Sequence, residues 1–214
     1  KNKTKKDISR DITFDYFDEG SNDIKYINHV HFKHRHQYKS YKIIDYKIIE
    51  PFIIKYFNPS QEINQIINLM QVKYKINYDN ICVLFYRGND KITETDLCKY
   101  ADMIKMALNI KSKNPNIKFL IQSDETQFIV TMSSLFSNSL YFKDEIRHMY
   151  KCNSSVDKIF KNSHKFSKYY LAITIIMSKC KHVICNSSGN CSMWIALYRG
   201  NTINFKQYLH GEFV

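Results

Sequence analysis

The chain has 214 residues, 44% of them apolar, and a net charge of +12, which suits one large domain with a real core and excludes a disordered chain. No apolar run is long enough to span a bilayer, and no run of four Lys or Arg marks the clustered face that nucleic acid requires, so neither a membrane span nor a nucleic-acid partner is expected. Lys, Asn, Ile, Tyr and Phe are abundant while Gly (5) and Pro (3) are scarce. That usage points to an AT-rich genome, of the kind found in giant viruses and certain protists, and accounts for much of the positive charge.

The chain begins at Lys1 rather than Met, which implies a piece of a longer protein, and "KNKTKK" has no apolar stretch behind it to make a signal peptide. "DITFDYF" and "YINHVHF" are candidate strands. "YKIIEPFIIKYF" leads to Pro59, and an amphipathic helix starts near Ser60 with Ile63, Ile66, Ile67 and Met70 on one face. These early residues are too few for a complete second α/β domain.

From Ile81 the pattern becomes regular. Residues 81–86 form an expected buried strand, and 95–112 a helix with Leu97, Ala101, Ile104 and Leu108 on one face. "IKFLIQS" is a strand, followed by the helix "DETQFIVTMSSLF" with Asp124 as its N-cap. "SLYF" is a short strand, and 143–165 a long loop with a broken helix. "FSKYYLAITIIMSKC" is a helix, "KHVIC" a strand, "SGNCSMWIALYRG" a helix stopped by Gly200, and "NTINF" a last strand. Strands alternating with helices predict a mainly parallel, Rossmann-like α/β sheet with helices on both faces, whose ligands bind at the carboxyl ends of the strands.

The six cysteines, Cys82, Cys98, Cys152, Cys180, Cys185 and Cys191, include no C-x-x-C pair, so a zinc ribbon is not expected. Buried free thiols imply a reducing, cytoplasmic setting. Two glycosylation sequons, at Asn186 and Asn190, fall where the ligand site is expected, and a glycan there would be disruptive. The tract "HVHFKHRH" puts His29 and His31 on one face of an extended strand and His34 and His36 on the other. One ion cannot easily collect all four, and no metal site is assigned. His148 and His182 are isolated. There is no G-x-G-x-x-G, G-K-[ST] or G-x-S-x-G, which speaks against dinucleotide oxidoreductases, P-loop NTPases and α/β-hydrolases.

Three strand tips carry candidate chemistry. At the first, Arg87 ends "ICVLFYR" with a guanidinium suited to phosphate. Gly88 permits close backbone approach or a sharp turn, and Asp90 and Lys91 are placed to fix Arg87 or touch a substrate. At the second, "CNSSGNCS" sets Asn186, Ser187, Ser188 and Gly189 before a helix, an anion site made of amides, hydroxyls and the positive end of a helix dipole. At the third, Ser123 and Asp124 follow "FLIQ"; Asp124 fits either a sugar or ribose hydroxyl or a helix cap.

"FYRGND" resembles the H-x-R-R-x-D motif of the fucosyltransferase superfamily with the GT-B fold, comprising α1,2-, α1,6- and protein-O-fucosyltransferases. "FYRGNDKITET" is especially similar to the α1,6 branch, "MSKCKHVICNSSGNCSMWIALYRGN" is similar to the late motif of the α1,2 branch, and "FLIQSDE" to the middle motif. Together they cover roughly residues 80–205. The resemblance implies an inverting, metal-independent glycosyltransferase without cofactor, moving a sugar from a nucleoside-diphosphate donor, GDP-fucose, to a glycan or protein acceptor. It divides the chain into 1–60, a remnant of an acceptor domain or a linker, and 61–214, the nucleotide-sugar-binding domain. It carries the catalytic role to Arg87, as the arginine that neutralises the departing diphosphate, with Lys91 as the motif's lysine and Glu94 as a candidate base if the loop shifts by one residue. Donor contacts fall to Phe85, Gly88, Asp90, Ser123, Asp124, Asn186, Ser187, Ser188 and Gly189. The motif's histidine is Phe85 here and its second arginine is Gly88. The acidic residue that follows the lysine aligns with Thr95, and the acidic guanine-reading residue falls at about Ala172.

Overall fold

Six consecutive apolar or aromatic residues, Ile81–Tyr86, form β1 at the centre of a sheet, every one of them buried. The computed structural model describes residues 13–18, 39–89, 91, 96–143 and 163–214. β2 (Lys118–Ser123), β3 (Ser139–Leu140), β4 (His182–Cys185), β5 (Phe205–Leu209) and β6 (Glu212–Phe213) complete a sheet of order β3-β2-β1-β4-β5-β6. All described pairings are parallel except that of β5 with β6. The order reverses between β1 and β4, the crevice where open α/β sheets take their ligands.

Helices fill both faces, as the burial of every β1 side chain requires. Val83 and Phe85 face α2 (Gln61–Lys73), α5 (Ser163–Lys179) and α6 (Asn190–Arg199) in one core; Cys82, Leu84 and Tyr86 face α3 (Tyr100–Lys113) and α4 (Thr126–Leu135) in the other. This is a Rossmann-like α/β fold. The Ser60 hydroxyl caps α2 by accepting from Ile63 N, and Ile63, Ile66, Ile67 and Met70 are its buried stripe. α6 ends at Gly200, whose φ of 70° gives the left-handed stop that glycine adopts at no steric cost. Before α2, α1 (Tyr46–Tyr56) packs on α6, and Tyr41 enters the same core at 1% exposure. No helix among the described residues is long and apolar enough to cross a membrane.

Several elements differ from expectation. α3 begins at Tyr100, and its buried stripe is Met103 and Ala107 with Tyr100, Ile104 and Ile110 beside it; Ala101 and Leu108 are exposed. The expected strand at 201–205 is a turn, and β5 starts only at Phe205, after Asn204 at φ 57°. "SLYF" yields strand only at 139–140. "DITFDYF" gives a short 3-10 turn at Thr13–Asp15 and one bridge from Phe17 to Pro59. A closing hairpin, β5–β6, turns through His210 and Gly211, both at positive φ. "YINHVHF", the histidine tract, His148, Cys152 and most of the expected loop at 143–165 lie outside the described residues.

Candidate functional site

Strand register brings the three tips together, Asn186 one residue behind Arg87 and Asp124. Tyr86 pairs with Ser123, and Phe85 with Cys185, so the next residues along β1, β2 and β4 are Arg87, Asp124 and Asn186. Asn186, 0% exposed, grips the Arg87 backbone: its Oδ1 accepts from Arg87 N at 2.9 Å and its Nδ2 donates to Arg87 O at 3.0 Å.

Asp124 is not the cap of α4. That position belongs to Glu125, which makes no side-chain cap bond. The Asp124 carboxylate turns back instead and accepts from Arg87 Nε and from Gly88 N, both at 2.9 Å. An ion pair and a backbone amide outcompete the local cap because both sit at the adjacent strand tip. Ser123 Oγ accepts from Glu125 N, which holds the chain in this reversal.

Glu125 completes the loop. Its Oε1 accepts from Asn89 N at 3.0 Å and its Oε2 from the Tyr100 hydroxyl, while Asn89 Nδ2 donates to Asp124 O. The carboxylate occupies the space above Gly88: a Cβ on that glycine would lie 1.9 Å from Glu125 Oε1. Gly88 therefore makes room for a buried side chain. No second arginine fits at position 88 in this packing.

The guanidinium of Arg87 is held from two sides. Besides Asp124 at Nε, its Nη1 donates to the Tyr170 hydroxyl at 3.0 Å. Burial disfavours the charge, yet Tyr170 and Asp124 more than offset it and keep the group above its ordinary pKa. Burial also keeps the Tyr170 hydroxyl and the Cys191 thiol protonated, each above its usual value. The side chain of Arg87 retains 19% exposure, so the cation is fixed but reachable.

The turn after β4 sits beside it. Ser187 and Ser188 are nearly fully buried, Gly189 is half-buried and occupies the N-cap of α6, and Asn190 is exposed. The first amides of a helix lack intrahelical partners and carry the positive end of its dipole. Tyr41 backs this turn by donating its hydroxyl to Gly189 O at 3.1 Å.

Arg87, Gly88, Ser123, Asp124, Asn186, Ser187, Ser188 and Gly189 thus gather at one edge of the sheet. Phe85 does not present its ring there: it is 1% exposed and packed in the core. Lys91 N bonds back to Gly88 O, while Asp90 and Glu94 lie outside the described residues. Ala172 is wholly buried in the core. Sequence reasoning missed Tyr170, Glu125, Asn89 and Tyr41. The first sits in an apolar helix where nothing local marks it. Among the described residues no group of three or more His, Cys, Asp or Glu could hold a metal ion.

No protein-family model matches the chain, and no curated protein sequence is significantly similar to it. Solved structures are. NodZ alpha-1,6-fucosyltransferase soaked with GDP-fucose aligns with a TM-score of 0.52 at 14% identity, covering 77% of this chain and 52% of that one. NodZ co-crystallised with GDP aligns at 0.47 and 15% identity, over 73% and 47%. Fucosyltransferase NodZ from Bradyrhizobium aligns at 0.46 and 15% identity, over 73% and 47%. The chain spans about half the length of these structures. The chain, a mainly parallel sheet whose order reverses between β1 and β4, accordingly has a Rossmann-like fold similar to about half of the NodZ structure.

Proposed function

We propose that the chain is the donor-binding part of a fucosyltransferase-like glycosyltransferase that holds a nucleoside-diphosphate sugar at the crevice between β1 and β4. The observation that carries this reading is the junction of Arg87 with the Asn186–Gly189 turn, a fixed cation next to a helix N-terminus. Such a pair is complementary to a diphosphate. In transfer, the bond between the sugar's anomeric carbon and the diphosphate oxygen breaks through an oxocarbenium-like transition state, and an acceptor hydroxyl on a glycan or protein adds to the opposite face and gives up its proton to a base of the complete protein or to solvent. Negative charge builds on the leaving diphosphate, and Arg87 with the turn amides stabilises it in place, without solvent reorganisation. Arg87 supplies the charge that a divalent metal supplies in other transferases, so the reaction proceeds without one. GDP-fucose is the proposed donor; NodZ, a solved protein of similar fold, has been soaked with it.

Calorimetry of the protein with GDP, UDP and GDP-fucose tests the proposal. Saturable binding of GDP and GDP-fucose, unchanged by EDTA, is expected. Lack of affinity for any of the three would overturn it.

A second reading is a module of the same fold that binds a glycan or a protein without catalysis. The core position of Phe85, the Glu125 carboxylate over Gly88 and the buried Ala172 favour it, since all three remove side chains from the ligand side. In that case the same titrations give no heat with any nucleotide.

A further inference from the structure

Arg87 carries its planar fork on a flexible side chain that cannot aim it unaided. A carboxylate on Nε fixes one edge of the guanidinium and leaves the plane free to swing about that contact. The Tyr170 hydroxyl takes Nη1 at 3.0 Å, from a helix on the face of the sheet that packs Val83 and Phe85. Asp124 reaches Nε from the end of the neighbouring strand. Two contacts on different nitrogens, from different elements, define the plane.

Tyr170 is itself fixed. Its ring lies nearly parallel to that of Phe166, one helical turn away, with centroids 5.9 Å apart and 15° between planes. Its backbone carbonyl accepts from the Thr174 hydroxyl at 2.8 Å, and Thr174 Oγ1 lies 3.7 Å from Cys191 Sγ. A phenol has one proton and two lone pairs. Accepting from Arg87 uses one of those lone pairs. Cys191 belongs to the first turn of α6, the helix that offers its N-terminus to the anion. Through Thr174, the helix that carries Tyr170 is thus tied to that first turn, which sets the cation and the amides against one frame.

We infer that Tyr170 is the positioning residue of Arg87: its hydroxyl sets the plane of the guanidinium relative to the α6 N-terminus, so that cation and amides meet the diphosphate together. The inference rests on the diphosphate reading of the site. It assigns Tyr170 no contact with the reacting atoms.

The test compares the unsubstituted protein, Tyr170→Phe, Arg87→Ala and the double variant in calorimetric titrations with GDP, GMP and guanosine. Tyr170→Phe is expected to weaken GDP by about 10-fold, the worth of one hydrogen bond to a charged group, and to leave guanosine unchanged. In the Arg87→Ala background the same substitution has no further effect, because the hydroxyl acts only through the guanidinium. Unchanged GDP affinity in Tyr170→Phe overturns the inference, as does equal weakening of guanosine, or a loss that persists without Arg87. Should Tyr170→Phe fail to fold, nitrogen-15 arginine spectra of the unsubstituted protein decide. A guanidinium held at Nε and Nη1 gives resolved Hη resonances, whereas one averaged Hη signal for Arg87 refutes the positioning. Failure of the unsubstituted protein to bind any nucleoside diphosphate overturns the underlying reading, and binding with unchanged affinity in Tyr170→Phe overturns this inference alone.

Discussion

Asn186 closes a ring on Arg87 by pairing with both polar groups of its backbone, accepting from N at 2.9 Å and donating to O at 3.0 Å. A side-chain amide carries its acceptor and its donor on separate atoms and so does both at once. Asn186→Ala orphans two partly buried backbone groups. The expected cost is on the order of 2–4 kcal/mol of folding free energy, read from urea denaturation. Asn186→Asp keeps the acceptor and sets a carboxylate against the Arg87 carbonyl, so it is expected to be no better than alanine. A loss below about 0.5 kcal/mol in both, the scatter of ordinary surface substitutions, would show that the clamp carries nothing.

Glycine 88 is defined by its neighbour. A methyl there would meet Glu125 Oε1 at 1.9 Å and Cδ at 2.2 Å, and that carboxylate is bound by Asn89 N and the Tyr100 hydroxyl. Gly88→Ala is expected to destabilise by about 1–3 kcal/mol, the usual cost of overpacking. The effect shrinks in a Glu125→Ala background, since the clash is gone. A thermodynamic cycle over the four proteins measures this coupling; strict additivity would contradict the packing.

Arg87→Ala removes the fixed cation. Under the proposed function, turnover with GDP-fucose in the complete protein is expected to fall by about 10²–10³, as for loss of one preorganised stabiliser of transition-state charge. Arg87→Lys keeps charge without the fork and recovers little, because Asp124 and Tyr170 use two different nitrogens. Near-normal turnover in Arg87→Ala would remove Arg87 from the chemistry.

Alkaline stability follows from buried thiols. Burial pushes Cys98 and Cys180 from the ordinary 9.0 up to about 12, with Asp102 adding to the first and Arg199 opposing the second. In both, the neutral form is favoured in the folded chain. Their contribution is complete below about pH 9, where folded and unfolded thiols are both protonated. It drains as pH rises toward about 12, because only the unfolded chain releases protons. Tyr78, lifted by burial from 10.0 to about 12, acts in the same direction. Urea midpoints should therefore fall steadily across that window, and a flat profile would contradict the burial of these groups.

Much of this was legible in the residues. β1, β2 and β4 are short apolar runs bounded by polar tips, and Ser60 and Gly200 mark helix ends through their own chemistry. Arg87, Asp124 and Asn186 were recognisable because each directly follows such a run. What they do to one another was not. Asp124 before a helix looks like a cap, and only the register of β1 with β2 reveals Arg87 and Gly88 as its partners. The phase of α3 was misjudged because Leu108 and Ala101 are apolar yet exposed, while Met103 and Ala107 face the sheet. β5 was placed too early because Ile203 suits a strand, though it is 70% exposed in a turn. Tyr170 carried no signal at all. Its role exists only once α5 packs beside the first strand's tip.

The ring around Arg87 also has a temporal side. Its partners Asn186 and Tyr170 follow it by 99 and 83 positions, and Tyr41 and Gly189 are 148 apart. Closures of that span lose chain entropy long before they return contacts. During synthesis the arginine is made well before Tyr170 and Asn186, so its clamp cannot close until β4 and the turn after it have joined the chain.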